Sequence, residues 1–165
     1  MGHSDHEKSA GKKVRVLIIT VSDTRNEDTD ESGALILKML RESGHEVIGK
    51  KILRDERELI TEAVRNAPEG TQAVIINGGT GISKRDGSFE AVSSILEKTL
   101  PGFGEIFRYL SYKEIGPAAI MSRAVAGLCN GKIVISIPGS RNAVALAMKE
   151  IILPQIAHMV WEAAR

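Results

Sequence analysis

The sequence predicts an α/β fold: a mainly parallel sheet with helices packed on both faces. Three observations carry that expectation. Short runs rich in Val and Ile recur at 14–21, 46–53, 73–77 and 132–137. Stretches with helical spacing of apolar residues separate the first three of them, the alternation that parallel sheets require. The pair Asn130-Gly131 stands between two apolar runs, 122–128 and 132–137, which marks a two-residue hairpin. One strand of that hairpin must therefore run antiparallel to the other.

The elements follow in order. Residues 14–21, VRVLIITV, are apolar almost throughout, as in a strand buried on both faces. Residues 22–30 are too rich in Asp, Asn and Thr for a core element. Leu35, Met39 and Leu40 then space a helix over 32–41 that stops before Gly44. The second strand is expected at 46–53. Asp55 with Glu58 three residues on has the form of a capping box opening a helix to about Asn66. A third strand, apolar up to its closing Asn77, spans 73–77. Residues 87–98 read as a helix, broken at Pro101-Gly102 and followed by another over 103–111. After the hairpin, Pro138-Gly139-Ser140 precedes a helix over 142–152, and a last helical stretch follows Pro154. Residues 14–165 read as one domain and 1–13, with His3 and His6, as a flexible tail.

Composition narrows the function classes. A chain of 165 residues buries roughly two-thirds of its unfolded surface, so it needs no disulfide or metal to fold. Aromatics are 4% of the chain, so the core must be aliphatic. That leaves apolar helices such as 143–148 near the surface, which points to an oligomer. A net charge of +1 supplies no basic excess for nucleic acid. The lone Cys129 can form neither an internal disulfide nor a cysteine-based zinc site. No apolar run reaches the roughly 18 residues of a membrane span, and no secretory signal opens the chain. The expected location is the cytoplasm.

In parallel sheets, ligands sit beyond the carboxyl ends of the strands. Ser22, Asp55 and Gly78 each fall there. The run Gly78-Gly79-Thr80-Gly81 follows a buried strand. Its glycines allow successive N–H groups to line one concavity suited to a phosphate, or simply permit a tight turn. It lacks the Gly-Lys-Ser/Thr of a P-loop. Asp86, with Glu90 four residues on, is either a helix cap or a magnesium ligand, and Asp55 has the same two readings. Pro138-Gly139-Ser140 is either a capped turn or a second anion seat. Ser122-Arg123 offers a hydroxyl and a fixed cation. Ser22-Asp23 forms a polar turn on the same rim. His45, His158 and Cys129 have no partner pattern for a triad or for zinc.

These residues share one order and spacing: 16–23, then Gly78 to Gly81 with Asp86, then Ser122 to Gly127, then Pro138-Gly139-Ser140 with Ala143-Val144. In that order they resemble the MoaB/MogA family of molybdenum cofactor biosynthesis, related to the gephyrin G domain. The resemblance covers 14 to about 160. Residues 102–108 with Glu114-Ile115-Gly116 look more like the MoaB branch. The resemblance implies a three-layer α/β/α sandwich, mostly parallel with one antiparallel strand, assembled as homo-oligomeric trimers or hexamers. It implies Mg²⁺-dependent transfer of AMP from ATP to the terminal phosphate of molybdopterin, releasing pyrophosphate. A non-catalytic molybdopterin-binding or scaffold protein of the same fold is the alternative. By the same resemblance Asp86 and Asp55 are the catalytic, magnesium-holding carboxylates. Ser22, Asp23, Gly78, Gly79, Thr80, Gly81, Glu90, Ser122, Arg123, Pro138, Gly139 and Ser140 are expected to bind nucleotide or pterin. Other molybdenum cofactor biosynthesis proteins are expected partners. Lys84-Arg85 keeps the basic character of the active members.

Overall fold

The computed structural model describes residues 12–165. His3, His6 and most of the expected tail lie outside the described residues. Strand β1 (Arg15–Val21) pairs in parallel with β2 (Glu46–Leu53) and with β3 (Ala73–Asn77), and β3 pairs in parallel with β6 (Lys132–Ile137). Strand β5 (Val125–Cys129) runs antiparallel to β6, and the two-residue β4 (Lys98–Thr99) antiparallel to β5. The sheet order is β2-β1-β3-β6-β5-β4, so β5 alone opposes the common direction. Asn130 and Gly131 both take positive φ, 48° and 71°, as the expected hairpin turn requires.

Alternation along each strand divides the core in two. Val16, Ile18, Ala73, Ile75, Ile133 and Ile135 face one side. There they meet Ile36 and Leu40 of α1 (Glu31–Glu42) and Phe103 and Phe107 of α4 (Pro101–Ile115). Val144 of α5 (Arg141–Ala147) and Ile156 of α6 (Leu153–Ala163) complete that layer. Leu17, Ile19, Val74, Ile76 and Val134 face the other side, against Ile60 and Val64 of α2 (Arg57–Arg65) and Ala91, Val92 and Ile95 of α3 (Ser88–Ile95). This is the three-layer sandwich. Strands β1 and β3 are buried on both faces, which explains why they read as continuous apolar runs.

Several expectations are corrected. The helix expected over 87–98 ends at Ile95, because Lys98 and Thr99 pair with Leu128 and Gly127 instead. Pro101 opens α4 rather than breaking a helix, its missing N–H costing nothing at the first position. The strand expected at 122–128 begins at Val125. Neither Asp55 nor Asp86 caps a helix: the cap positions are Glu56 and Gly87, and neither makes a side-chain cap bond. The C-terminal helices do not break at Pro154. A π-turn at Met148–Ile152 widens the helix just before the proline ring, and the helix runs on to Ala163.

The segment 143–148 is not a surface patch, since Val144, Ala147 and Met148 are fully buried. Most of the exposed large apolar side chains lie instead on α4 and the 3₁₀ turn after it, at Ile106, Tyr109, Tyr112, Ile115, Ile120 and Met121; Leu59, Ile82 and Leu100 are exposed elsewhere. Read as one helix, Arg141–Ala163 matches a membrane span in length and mean hydropathy, 1.4 over its best window. Lys149-Glu150 divides it, so it holds no uninterrupted apolar run of that length. Its Val144, Met148, Ile152 and Ile156 are packed against the sheet as core.

Candidate functional site

One rim of the sheet gathers the loops that the strand ends release. Ser22, after β1, donates its N–H to Leu53 O at the end of β2, at 2.8 Å. Gly78, after β3, donates to Ile137 O at the end of β6, at 3.0 Å. A Cβ on Gly139 would stand 2.9 Å from Gly78 Cα, so the turn 138–140 abuts the glycine turn backbone to backbone. Because β5 runs against the others, its leading residues Ser122 and Arg123 arrive at this same rim.

The glycine turn is conformationally restricted. Gly78 and Gly79 take φ of 99° and 65°, which other residues rarely adopt. A Cβ on Gly79 would also overlap the Asp55 carboxylate and the Ser88 hydroxyl, so both oxygens lie directly against this turn. Asp55 Oδ1 accepts the Gly87 N–H at 3.1 Å, a long-range bond that replaces the expected local cap. Ser88 Oγ is buried without a hydrogen-bond partner among the described residues. Asp86 Oδ2 accepts the Ser83 N–H at 3.0 Å and its hydroxyl, closing the 83–86 turn. Asp23 Oδ1 accepts the Asp55 N–H at 3.3 Å, and its Oδ2 pairs with Arg85 at 2.8 Å. Burial, followed by the charges of Asp86 and Asp23, pushes the Asp55 carboxyl above its ordinary pKa against the pull of the Gly87 N–H and Arg85. The cluster thus favours a positive charge arriving beside Asp55.

The second turn is held from behind. Gly139 O accepts the Ser32 hydroxyl at 2.6 Å and Arg25 Nη1 at 3.3 Å. Ser140 is a helix cap, its hydroxyl accepting the Ala143 N–H at 3.3 Å, so the capped-turn reading holds at this residue. Ser22 Oγ likewise accepts the N–H of Thr24 and of Arg25, at 3.3 and 3.1 Å. Arg123 is not a free cation. Its Nε donates to Thr80 O at 2.9 Å, its Nη2 to Gly81 O, and it pairs with Glu90. Glu90 therefore turns towards Arg123, whose hydrogen bonds, more than its charge, hold the Glu90 carboxyl below its ordinary pKa against the opposing effect of burial.

Sequence reasoning missed the residues beneath the rim. Thr20, Asp30, Lys50 and Asn77 form a buried polar network under the start of α1. Asp30 Oδ2 takes Lys50 Nζ at 2.8 Å and the Thr20 hydroxyl at 2.9 Å, while Oδ1 caps α1 through the Gly33 N–H at 2.9 Å. Asn77 Nδ2 donates to Thr20 Oγ1 at 3.0 Å. One signal was available: Thr20 and Asn77 are polar ends of otherwise apolar strands.

The profile of a family described as a probable molybdopterin binding domain matches residues 17–158. The molybdenum cofactor biosynthesis protein B of Bacillus cereus is 48% identical over 168 residues, covering 100% of this chain and 99% of that protein. The chain belongs to this MoaB/MogA family. A crystal structure of a molybdenum cofactor biosynthesis protein B superposes with a TM-score of 0.91 at 48% identity, covering 94% of this chain and 99% of the other. The tungsten cofactor synthesizing protein MoaB of Pyrococcus furiosus superposes at 0.85 and 36% identity, covering 94% and 100%.

Within this MoaB/MogA domain, a cavity of about 450 Å³ opens beside the second turn, between α4 and α5. Ile115, Ala118, Met121 and Leu146 give it apolar walls, and Ser122, Pro138 and Ser140 lie on its border. No cluster of three or more His, Cys, Asp or Glu side chains able to hold a metal occurs among the described residues. A magnesium ion beside Asp55 fits a sparser donor set, one or two carboxylates with phosphate oxygens and water. The raised Asp55 pKa and the unpartnered Ser88 hydroxyl favour that fit.

Proposed function

We propose that this member of the family transfers AMP from magnesium-bound ATP to the terminal phosphate of molybdopterin, giving adenylyl-molybdopterin and pyrophosphate. The observation that carries the reading is the meeting of Asp55, the glycine turn and the 138–140 turn at one rim. There the N–H groups of residues 79–81 and of 139–140 make no hydrogen bond within the described residues. Unpaired amides of this kind seat phosphate oxygens. In this reading the amides of the glycine turn hold the nucleotide phosphates, and the apolar cavity beside Ser122 and Ser140 receives the pterin. A molybdopterin phosphate oxygen, already ionised at neutral pH, attacks the α-phosphorus of ATP. The new P–O bond forms as the bond to pyrophosphate breaks, so no covalent nucleophile of the protein is needed. Magnesium, where bound, would supply positive charge to offset that of the two phosphates. Asp55 and Asp86 would hold it, and Arg85, paired with Asp23, keeps that wall of the site in place.

The test is pyrophosphate release from Mg-ATP in the presence of molybdopterin, with wild type set against Asp86→Ala. Release by wild type and its loss in the variant are expected. A folded wild type that binds molybdopterin without releasing pyrophosphate would establish the non-catalytic alternative instead.

A further inference from the structure

Arg123 stands one residue after Ser122 and two before β5, and its guanidinium is almost fully committed inside the protein. Of its five N–H donors, one on Nε, two on Nη2 and one on Nη1 are engaged. The partners are the carbonyl oxygens of Thr80 and Gly81 and both carboxylate oxygens of Glu90. The guanidinium carbon also lies 4.8 Å from the centre of the Phe89 ring. Arg123 is therefore spent on α3 and on the carbonyl side of the glycine turn.

Peptide planarity gives that commitment a consequence. In a trans peptide the C=O of one residue and the N–H of the next point in opposite directions. Holding Thr80 O towards Arg123 turns the Gly81 N–H away from it, and holding Gly81 O does the same to the Ile82 N–H. The Ser88 N–H, bonded to Gly79 O at 2.9 Å, turns the Thr80 N–H outward in the same way. These three successive N–H groups have no acceptor within the described residues.

We infer that Arg123 is a positioning residue: it locks the carbonyls of Thr80 and Gly81 inward so that consecutive amides face the phosphate of the ligand, and it does not bind the anion itself. Glu90 orients the guanidinium and offsets its charge. The inference rests on the anion-seat reading above but makes a separate claim about the free protein.

The test has two arms, using the full chain, with Arg123→Lys and Glu90→Gln as variants. Lysine carries one ammonium and cannot span two carbonyls and a carboxylate. In the free protein, ¹⁵N relaxation should give order parameters near the rigid value of about 0.85 for Thr80 to Ile82 in wild type, falling below about 0.6 in Arg123→Lys. Unchanged order parameters would overturn the clamp. In the second arm, inorganic tripolyphosphate is titrated against the amide shifts. Both variants should bind it on the order of tenfold more weakly, as expected when a backbone amide freed to turn away no longer donates to the anion. Tighter binding by Glu90→Gln would mark Arg123 as a direct anion ligand released from its partner, and would overturn the inference. Should Arg123→Lys fail to fold, Glu90→Gln alone decides by the sign of its effect. A wild type with Arg123-dependent order but no tripolyphosphate binding would end the anion-seat reading while leaving the clamp intact.

Discussion

Asp30 has no exposed side-chain surface, and Lys50, its ion partner, is 15% exposed. Burial by itself would raise the Asp30 pKa, but Lys50, the Gly33 N–H and the Thr20 hydroxyl outweigh it and bring the pKa below the ordinary 3.8. Lys50 is opposed by burial in the same way, yet Asp30 and Glu27 lift it above 10.5. The signs follow from linkage. The Asp30 contribution is complete above pH 3.8 and is lost as pH falls through the depressed folded pKa; the Lys50 contribution is complete below 10.5 and is lost as pH rises through the elevated one. Lys50→Met should therefore cost about 3 kcal/mol at neutral pH in urea unfolding, because it strands a buried carboxylate. It should also abolish the loss of stability that Asp30 contributes below pH 3.8; an unchanged acid limb would mean another carboxylate governs it. Asp86 is the contrasting case. It closes a short, partly exposed turn, so Asp86→Ala should shift the melting temperature by only a few degrees while turnover disappears. A collapse in melting temperature would assign it a structural role. Gly79→Ala should fail on both counts, since its φ is 65° and its new methyl meets Asp55 and Ser88. Loss of tripolyphosphate binding and a lower urea midpoint are the measurements.

At the scale of elements, the strongest local signals were those set within a few residues. The hairpin at Asn130-Gly131 formed as read because positive φ at two adjacent residues is a local demand. Gly131→Ala should cost about 1 kcal/mol, the price of a methyl in the left-handed region, with no change in ligand binding. The helix starts were less legible. Asp55 and Glu58 have the spacing of a capping box, but the Asp55 carboxylate bonds Gly87, 32 residues away. Asp86 sits beside a helix start yet folds back on Ser83. Ser140 did become a cap. Local patterning gives the three the same potential, and only neighbours distant in sequence separate them. The two-residue β4 was invisible because a strand that short carries no periodicity of its own.

For the whole molecule, the exposed stripe of Ile106, Tyr109, Tyr112, Ile115, Ile120 and Met121 is the surface best suited to an assembly. We predict a particle of three or six times 17.8 kDa by light scattering, with Tyr112→Lys shifting it towards the monomer. A monomeric wild type would refute that. The expectation of an oligomer from the sequence was tied to 143–148, whose Val144, Ala147 and Met148 the core covers instead, since a helical apolar face does not reveal whether it meets its own core or another copy.

The sequence by itself determined the layered α/β architecture, the order along the chain of every strand but β4, the hairpin and the identity of the rim turns, and its ordered motifs were specific enough to indicate the family. These follow from periodicity, backbone restriction and local spacing, all written within a few residues. Only the tertiary structure decided that Asp55 leaves its helix to bond Gly87, that Arg123 binds loop carbonyls and Glu90, and that Lys50 neutralises Asp30 beneath the rim. Each depends on which strands lie side by side in the sheet, and side-chain polarity along the chain does not encode that.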